Sequence, residues 1–585
     1  MAHLTTSRTR AESYDAIVVG SGAAGGMAAW VLAKKGAKIL MLEAGRNYDA
    51  VKETPMFQAF SDAPLRGAGF PEKPNGFYDA TIGGWNVPGE PYTVQRKSDK
   101  GWQDAIVDNR VTTDQNFMWW RARMLGGRTN HWGRVSLRMA EIDFKPKSTD
   151  GLGFDWPIGY DDVSPWYDQV DQLIGIYGSK EGIANNPDSD FFQPPPPPRV
   201  YEQLLMRGGK KLGIPVIPSR MAILTKPLNG RPACFYATAC GRGCSIGANF
   251  QSTTVLIPPA LLTGNLDIIT NAMVREVTVD ASGKATGVHF IDKQTGKEEH
   301  VRATTVILGA SSLDSARILM NSKSALFPNG LGNSTGHLGR WLTDSTGSSM
   351  TGRLPVLENS PIANEDGTSS MHTYAPWTIE RQKEASKMGA PRGHYMAWSG
   401  GRGMPDMGTA GEVSSLVGNA WGKKYKEEAR RYYGTFVDIH ARGEMIPNEK
   451  SFIELDPVKK DQYGIPVLRF HFQWSDHEIK QVGHMQKSFA ELIEASGGVL
   501  TNPVPTDPSK VMTAGGSVNH EMGVARMSAD AKDGVTNSFG QLWDCPNVLV
   551  VDGAVFCSNP YKNPTITIMA LAWRACEELI KRSKK

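Results

Sequence analysis

The sequence predicts an α/β protein in which a Rossmann-like dinucleotide-binding domain is interrupted by an α+β domain built on an antiparallel sheet. Three observations carry that expectation. Residues 14–45 read as strand, glycine turn, helix, strand and acid in one unit. Residues 346–510 change to alternating strands separated by Gly and Pro turns. Residues 547–552, NVLVVD, return to the continuous apolar run of a buried parallel strand.

In the first unit, the apolar run at 16–19 leads into Gly20-Ser21-Gly22-Ala23-Ala24-Gly25. At that spacing Gly20 makes the tight turn, Gly22 lets a pyrophosphate approach the backbone, and Gly25 lets the next helix pack closely on the strand. Met27, Ala28, Val31 and Leu32 give that helix its apolar stripe, and Gly36 stops it. The second strand, 39–42, ends in Glu43, where an adenosine ribose presents its hydroxyls. A dinucleotide is therefore expected here.

Residues 47–104 are rich in Gly, Pro and aromatics without periodicity and read as long loops covering the nucleotide. In 118–133, MWWRARMLGGRTNHWG, Gly126 and Gly127 sit between bulky aromatics, so backbone can come close to a flat ring. A helix is expected around 163–177, and the five prolines at 194–198 read as a stiff surface spacer. Residues 268–280 form a strand and turn answered by a strand at 287–291. The stretch 303–320, ATTVILGASSLDSARILM, repeats strand, small-residue turn and helix, adding a strand to the nucleotide sheet. Strands at 435–440, 452–455 and 467–472 build the inserted sheet, and a helix over 564–581 closes the chain. The nucleotide domain is thus expected over 1–345 and 511–585, with a substrate domain at 346–510.

At 585 residues the chain exceeds one simple core, so two domains are natural. With 64 basic and 60 acidic residues, the +4 balance gives no reason to expect nucleic acid or an anionic membrane as partner. No apolar run is long enough to span a bilayer, and residues 1–13 lack the apolar segment of a secretory signal. Six cysteines are few for a disulfide scaffold, and Cys234, Cys240 and Cys244 are bunched as C-x5-C-x3-C within a segment spanning 231–250, which points to a metal. Thiolates bind iron–sulfur clusters or zinc, and no histidine lies nearby to complete a four-ligand zinc site. Three thiolates fit a three-iron cluster; buried thiols without metal are the alternative. Cys545, Cys557 and Cys576 read as core residues.

Taken together, GSGAAG with Glu43, the Gly126-Gly127 stretch, ILGASSLDSARIL, HEMGVARM from His520 and VVDGAVFCSNPYKNPTITIMALA resemble a glucose-methanol-choline (GMC) flavoprotein oxidoreductase over residues 14–580. Within that family the chain is most similar to bacterial sugar dehydrogenase subunits (FAD glucose, gluconate and glucoside 3-dehydrogenases), with pyranose oxidase a further relative. The resemblance implies the GMC fold and FAD rather than NAD, a choice the glycine motif alone cannot make. It also implies flavin contacts at Gly20, Gly22, Gly25, Glu43, Gly126, Gly127, Asn130, His131, Val274, Asp552, Gly553, Asn563 and Thr565.

Oxidising a secondary alcohol needs a base for the hydroxyl proton and an acceptor for the hydride. A neutral imidazole suits the first role, and His520 is the best of 12 histidines because it opens the HEMGVARM segment before the last sheet strand. Asn563, in KNPT, is its expected companion, able to hold the same hydroxyl without titrating; Asn519 is a weaker candidate, better read as a loop residue. The TNHW segment resembles the place where pyranose oxidases attach FAD covalently through a histidine, so His131 is either bonded to the flavin or stacked beside it. The cysteine spacing is similar to that of the cluster-bearing FAD glucose dehydrogenases and implies a 3Fe-4S relay to a cytochrome c, with a small companion subunit whose export signal would carry the pair to the periplasm. The TNHWGR segment and the large middle domain resemble glucoside 3-dehydrogenases, which implies C3 of a glucoside as the position oxidised; C1 of glucose, C2 of a sugar acid, or pyranose-oxidase-like use of oxygen are the alternatives. A flavoprotein-fold interaction module without the nucleotide is the reading from another class, opposed by the intact GSGAAG, Glu43 and His520.

Overall fold

In the computed structural model, the described residues are 11, 13–50, 83–84, 87–98, 101–107, 115–235, 240, 243–361, 371–402, 413–414, 416–418 and 421–583. The core begins with β1 (Tyr14–Val19), α1 (Ala23–Lys34) and β2 (Ile39–Glu43). Ile17 and Val18 are fully buried and every residue of β2 is interior, as strands covered on both faces require. Gly20 turns the chain into α1 at φ +92°, and Gly36, at φ +91°, follows its end.

A hairpin of β3 (Tyr92–Ser98) and β4 (Gly101–Val107) comes next, followed by α2 (Ser164–Ile174). The hairpin departs from the loops expected over 47–104. Only Tyr92, Thr93 and Val94 of β3 are buried, so no period-two alternation marks it. Residues 51–82 lie outside the described residues. The five-proline run is docked on the protein rather than standing free, since His372 Nδ1 donates to Pro197 O at 2.7 Å.

Then follow β5 (Leu266–Thr270), β6 (Ala272–Val279), β7 (Ala285–Asp292), β8 (Glu298–Leu308) and α3 (Ser312–Asn321). The one strand expected within 268–280 is two, because Asn271 takes φ +57° and redirects the chain. Further on lie β9 (Thr346–Arg353), β10 (His394–Gly400), β11 (Phe436–Gly443), β12 (Phe452–Lys460), β13 (Pro466–His471), α4 (Asp476–Ala495) and β14 (Val499–Leu500). The chain closes with β15 (Val548–Val550) and α5 (Thr565–Ser583).

Three sheets position the site. The largest runs β5-β2-β1-β8-β7-β6, with β15 also on β8. Its β5, β2, β1, β8 and β15 pair parallel, while β7 and β6 are antiparallel additions. The second, β10-β11-β9-β14, is antiparallel. Val437, Ile439 and Ala441 of β11 turn into a core with Val482, Met485 and Phe489 of α4, which leaves Asp438, His440 and Arg442 on the opposite face. The third, β12-β13-β3-β4, joins the hairpin at 92–107 to strands beyond residue 450, so strands of this region are shared with the N-terminal part of the chain. Among the described residues no helix is long and apolar enough to cross a membrane.

Candidate active site

A cavity of about 390 Å³ opens at the carboxyl ends of β1, β2 and β8, where open α/β sheets bind ligands. The three motif glycines meet it differently. A Cβ on Gly20 would lie 2.4 Å from Gly309 O, and one on Gly25 would lie 2.0 Å from Gly20 O, so the fold itself demands both glycines. At Gly22 the nearest protein atom to an added Cβ is Gly126 O at 4.0 Å, so a side chain there would extend into the cavity. At Gly127 the nearest is Gly22 Cα at 3.7 Å. The two glycine backbones thus pack close together in the cavity wall, with no side chain between them and the cavity.

Ser21 ties the loops together. Its hydroxyl donates to Glu43 Oε2 and accepts from Gly126 N at 2.8 Å, while Gly45 N donates to Glu43 Oε1 at 2.7 Å. Burial raises the Glu43 pKa, and the bonds from Ser21 and Gly45 oppose it. Across the cavity wall, burial pushes Asp552 up to about 6 against the bonds it accepts from Ser315 Oγ (2.6 Å), Ala554 N (3.0 Å) and Ser311 N (3.2 Å). Two buried acceptors of the wall, Asn519 Oδ1 and Glu521 Oε1, find no donor among the described residues. Such oxygens fit a bound group that brings its own N–H or O–H.

His520 sits in a directed hydrogen-bond chain. Tyr395 OH donates to Asn563 Oδ1 at 3.0 Å, which turns the Asn563 Nδ2 donor toward His520 Nε2, 3.1 Å away. On the other side of the ring, Ser345 Oγ lies 2.9 Å from Nδ1 and donates to Asn559 Oδ1 at 3.2 Å. Asn559 is itself oriented by its Nδ2 bond to His520 O at 3.0 Å. With both ends fixed, the ring carries its proton on Nδ1 and a lone pair on Nε2. Burial, then the Arg442 and Arg128 cations, hold its pKa down to about 3, which favours the neutral imidazole. Asp344 fixes the backbone beneath by accepting from His520 N at 2.8 Å.

Most of the residues expected at the cofactor meet in this one cavity: Gly20, Gly22, Glu43, Gly127, His131, Val274, Asp552, Gly553, Asn563 and Thr565, together with His520, line its wall. Gly25, Gly126 and Asn130 do not. Gly25 serves helix packing and Gly126 gives its N–H to Ser21. The Asn130 side chain is satisfied inside the protein, donating to Leu125 O at 2.9 Å and accepting from Gln251 Nε2 at 3.1 Å. His131 lies edge-on to Trp120, ring centroids 5.4 Å apart. Asn519 also lines the cavity, at φ +64°, rather than serving only a loop. Sequence reasoning missed Ser21, Ser345, Tyr395 and Asn559, of which Ser21 and Asn559 lie inside motifs and Ser345 and Tyr395 do not.

The cysteine trio departs from expectation. Among the described residues no group of three or more His, Cys, Asp or Glu side chains is placed to hold a metal. Cys240 is buried in an apolar cluster against which the half-buried Cys234 packs, and Cys244 N donates to Gln251 Oε1 at 3.2 Å. Residues 236–239 and 241–242, between the cysteines, lie outside the described residues. As described, the thiols do not form a ligand set for a cluster.

A parallel sheet with a glycine-bordered dinucleotide cavity and a neutral His–Asn pair in its wall defines a nucleotide-dependent oxidoreductase. The GMC oxidoreductase family matches residues 14–345 with its N-terminal part and 447–572 with its C-terminal part, and the chain belongs to that family. It is thus an FAD-binding enzyme acting on CH–OH groups. It is 30% identical to the 2-methyl-1,2-propanediol dehydrogenase of Mycolicibacterium austroafricanum, covering 98% of this chain and 96% of that one. It is 25% identical to the fructose dehydrogenase large subunit of Gluconobacter japonicus (98% and 99% covered) and 23% to the gluconate 2-dehydrogenase flavoprotein of Pantoea cypripedii (96% and 92%). The fold is shared with formate oxidase of Aspergillus oryzae at TM-score 0.64 and 14% identity, covering 98% of this chain and 99% of that one.

Proposed function

We propose that the protein oxidises a hydroxyl of a sugar-like polyol as an FAD-dependent dehydrogenase, with His520 as general base and Asn563 as its partner. The observation that carries this is the placement of His520 Nε2 3.1 Å from the Asn563 amide, both in the cavity wall. Bound FAD supplies the acceptor for the hydride leaving the carbinol carbon. The chain supplies the rest. A substrate hydroxyl entering between the two side chains donates its proton to Nε2 and accepts from Asn563 Nδ2 on the same oxygen, and the carbon becomes a carbonyl as the hydride departs. Ser345 keeps the proton already on Nδ1, so only Nε2 is open to receive another. The bare backbone at Gly22 and Gly127 suits the pyrophosphate, Glu43 the ribose, and Val274, Asp552, Gly553, Thr565 and His131 further contacts of FAD.

The similarity to dehydrogenases of a small diol, fructose and gluconate supports a polyol substrate. Oxidation at C3 of a glucoside is the finer reading, and NMR of the product from methyl glucoside tests it: the compound has no free anomeric hydroxyl, so turnover excludes strict C1 chemistry. Hydrogen peroxide release would instead make the enzyme an oxidase. Flavin that stays with acid-precipitated protein would place a covalent bond at His131. A relay through a 3Fe-4S cluster at Cys234, Cys240 and Cys244 to a cytochrome c and small subunit, in the periplasm, rests on cysteine spacing. Iron and sulfide analysis of protein made with ample iron decides it.

A further inference from the structure

One charge near the reacting pair has no role in the chemistry above. Gly347 of β9, Arg442 of β11 and Tyr395 of β10 form one row across the second sheet, and directly opposed residues of neighbouring strands point to one face. Both outer members of the row face the site. A Cβ on Gly347 would lie 3.2 Å from Val518 Cγ2, two residues before His520, and the Tyr395 hydroxyl reaches Asn563 at 3.0 Å. Arg442, between them, is half-buried, and its hydrogen bond goes to the adjacent Ala441 carbonyl at 3.0 Å. No carboxylate among the described residues pairs with it. Arg128, the other guanidinium whose field reaches His520, is neutralised by Glu521 at 2.7 Å.

An unpaired cation here opposes the charge His520 must take up with the hydroxyl proton. A substrate that brings its own negative charge removes that opposition and gives the planar guanidinium a paired acceptor. A single guanidinium matches a monoanion better than a phosphate dianion, which would stay half-compensated.

We propose that Arg442 binds a carboxylate of the substrate, which favours the sugar-acid alternative, polyhydroxy carboxylates, over the neutral glucoside that the resemblance implies. This rests on the reading of His520 and Asn563 as the reacting pair. The test uses the full-length, FAD-loaded protein without oxygen and follows flavin bleaching against concentration for two matched pairs: D-gluconate with sorbitol, and D-glucuronate with D-glucose. The acid of at least one pair should half-saturate at about tenfold lower concentration than its neutral partner. Arg442→Met, checked to retain flavin and thermal stability, should bring that ratio to within about threefold, and Arg442→Lys should restore part of it. Should Arg442→Met lose its flavin, Arg442→Lys and Arg442→Gln carry the same comparison. Neutral partners that half-saturate as low as the acids in the wild type overturn the inference and leave the reacting pair standing, as does a Met variant that keeps the ratio. Flavin that none of the four bleaches overturns the inference; if methyl glucoside bleaches the same protein the reacting pair stands, and if it does not the pair falls as well.

Discussion

Replacing Ser345 by Ala should release the ring proton on His520 Nδ1 and let the imidazole sample the wrong tautomer, because the 2.9 Å contact to Ser345 is what holds it. Flavin reduction should slow on the order of tenfold, about the worth of one hydrogen bond, and Ser345→Thr should recover most of it. Equal rates in Ser345→Ala and wild type in stopped-flow would remove Ser345 from the chain. His520 and Asn563 were legible in the sequence because each sits in a local motif with a residue type the chemistry needs. Ser345 and Tyr395 were not, since they reach the pair only across 175 and 168 residues of chain, a proximity that no spacing encodes. The resemblance implied flavin contacts at Asn130 and Gly126, yet the Asn130 side chain and the Gly126 N–H are bonded within the protein.

At the scale of elements, the turn between β1 and α1 separates what the fold needs from what the cofactor needs. Gly25→Ala puts a methyl 2.0 Å from the Gly20 carbonyl oxygen and should lower the melting temperature sharply or prevent folding. Gly22→Val meets no protein atom closer than 4.0 Å at its Cβ, so the chain should fold while FAD uptake fails. Stoichiometric flavin in purified Gly22→Val would place the dinucleotide elsewhere. A second element-level test concerns the contact between β10 and α4, where His394 Nε2 and His484 Nδ1 lie 2.9 Å apart in the interior. Burial, then Arg381, holds His394 well below its ordinary value; burial, then Arg381 and Lys487 against Glu384, brings His484 to about 4. Both rings fold neutral, and the unfolded chain takes up protons at about 6.5. Their contribution is therefore full above that pH and is lost as pH falls toward the folded values. His484→Gln should flatten the fall of melting temperature between about pH 6.5 and pH 4, and an unchanged slope would contradict this. The β1–α1–β2 unit was legible because strand, turn and helix signals coincide within it. The β3–β4 hairpin was not, since its neighbour β13 lies more than 350 residues away and its inward residues are confined to one end.

For the whole molecule, the parallel sheet and the antiparallel second sheet followed from the pattern of apolar runs, which changes from continuous to alternating near residue 346. That pattern could not show strands at 92–107 crossing to join β13, nor whether three cysteines close in sequence are gathered around one point. These are properties of packing between distant segments. The central claim, that one cavity holds FAD against a neutral His520, is tested most directly by anaerobic stopped-flow of the FAD-loaded protein and its His520→Ala variant with a saturating polyol substrate. Both should carry a full flavin band, and the wild type should bleach in a single turnover while His520→Ala bleaches on the order of 10²–10⁴-fold more slowly. Equal bleaching rates, or a wild type purified with the fold intact and no capacity to bind flavin, would contradict it.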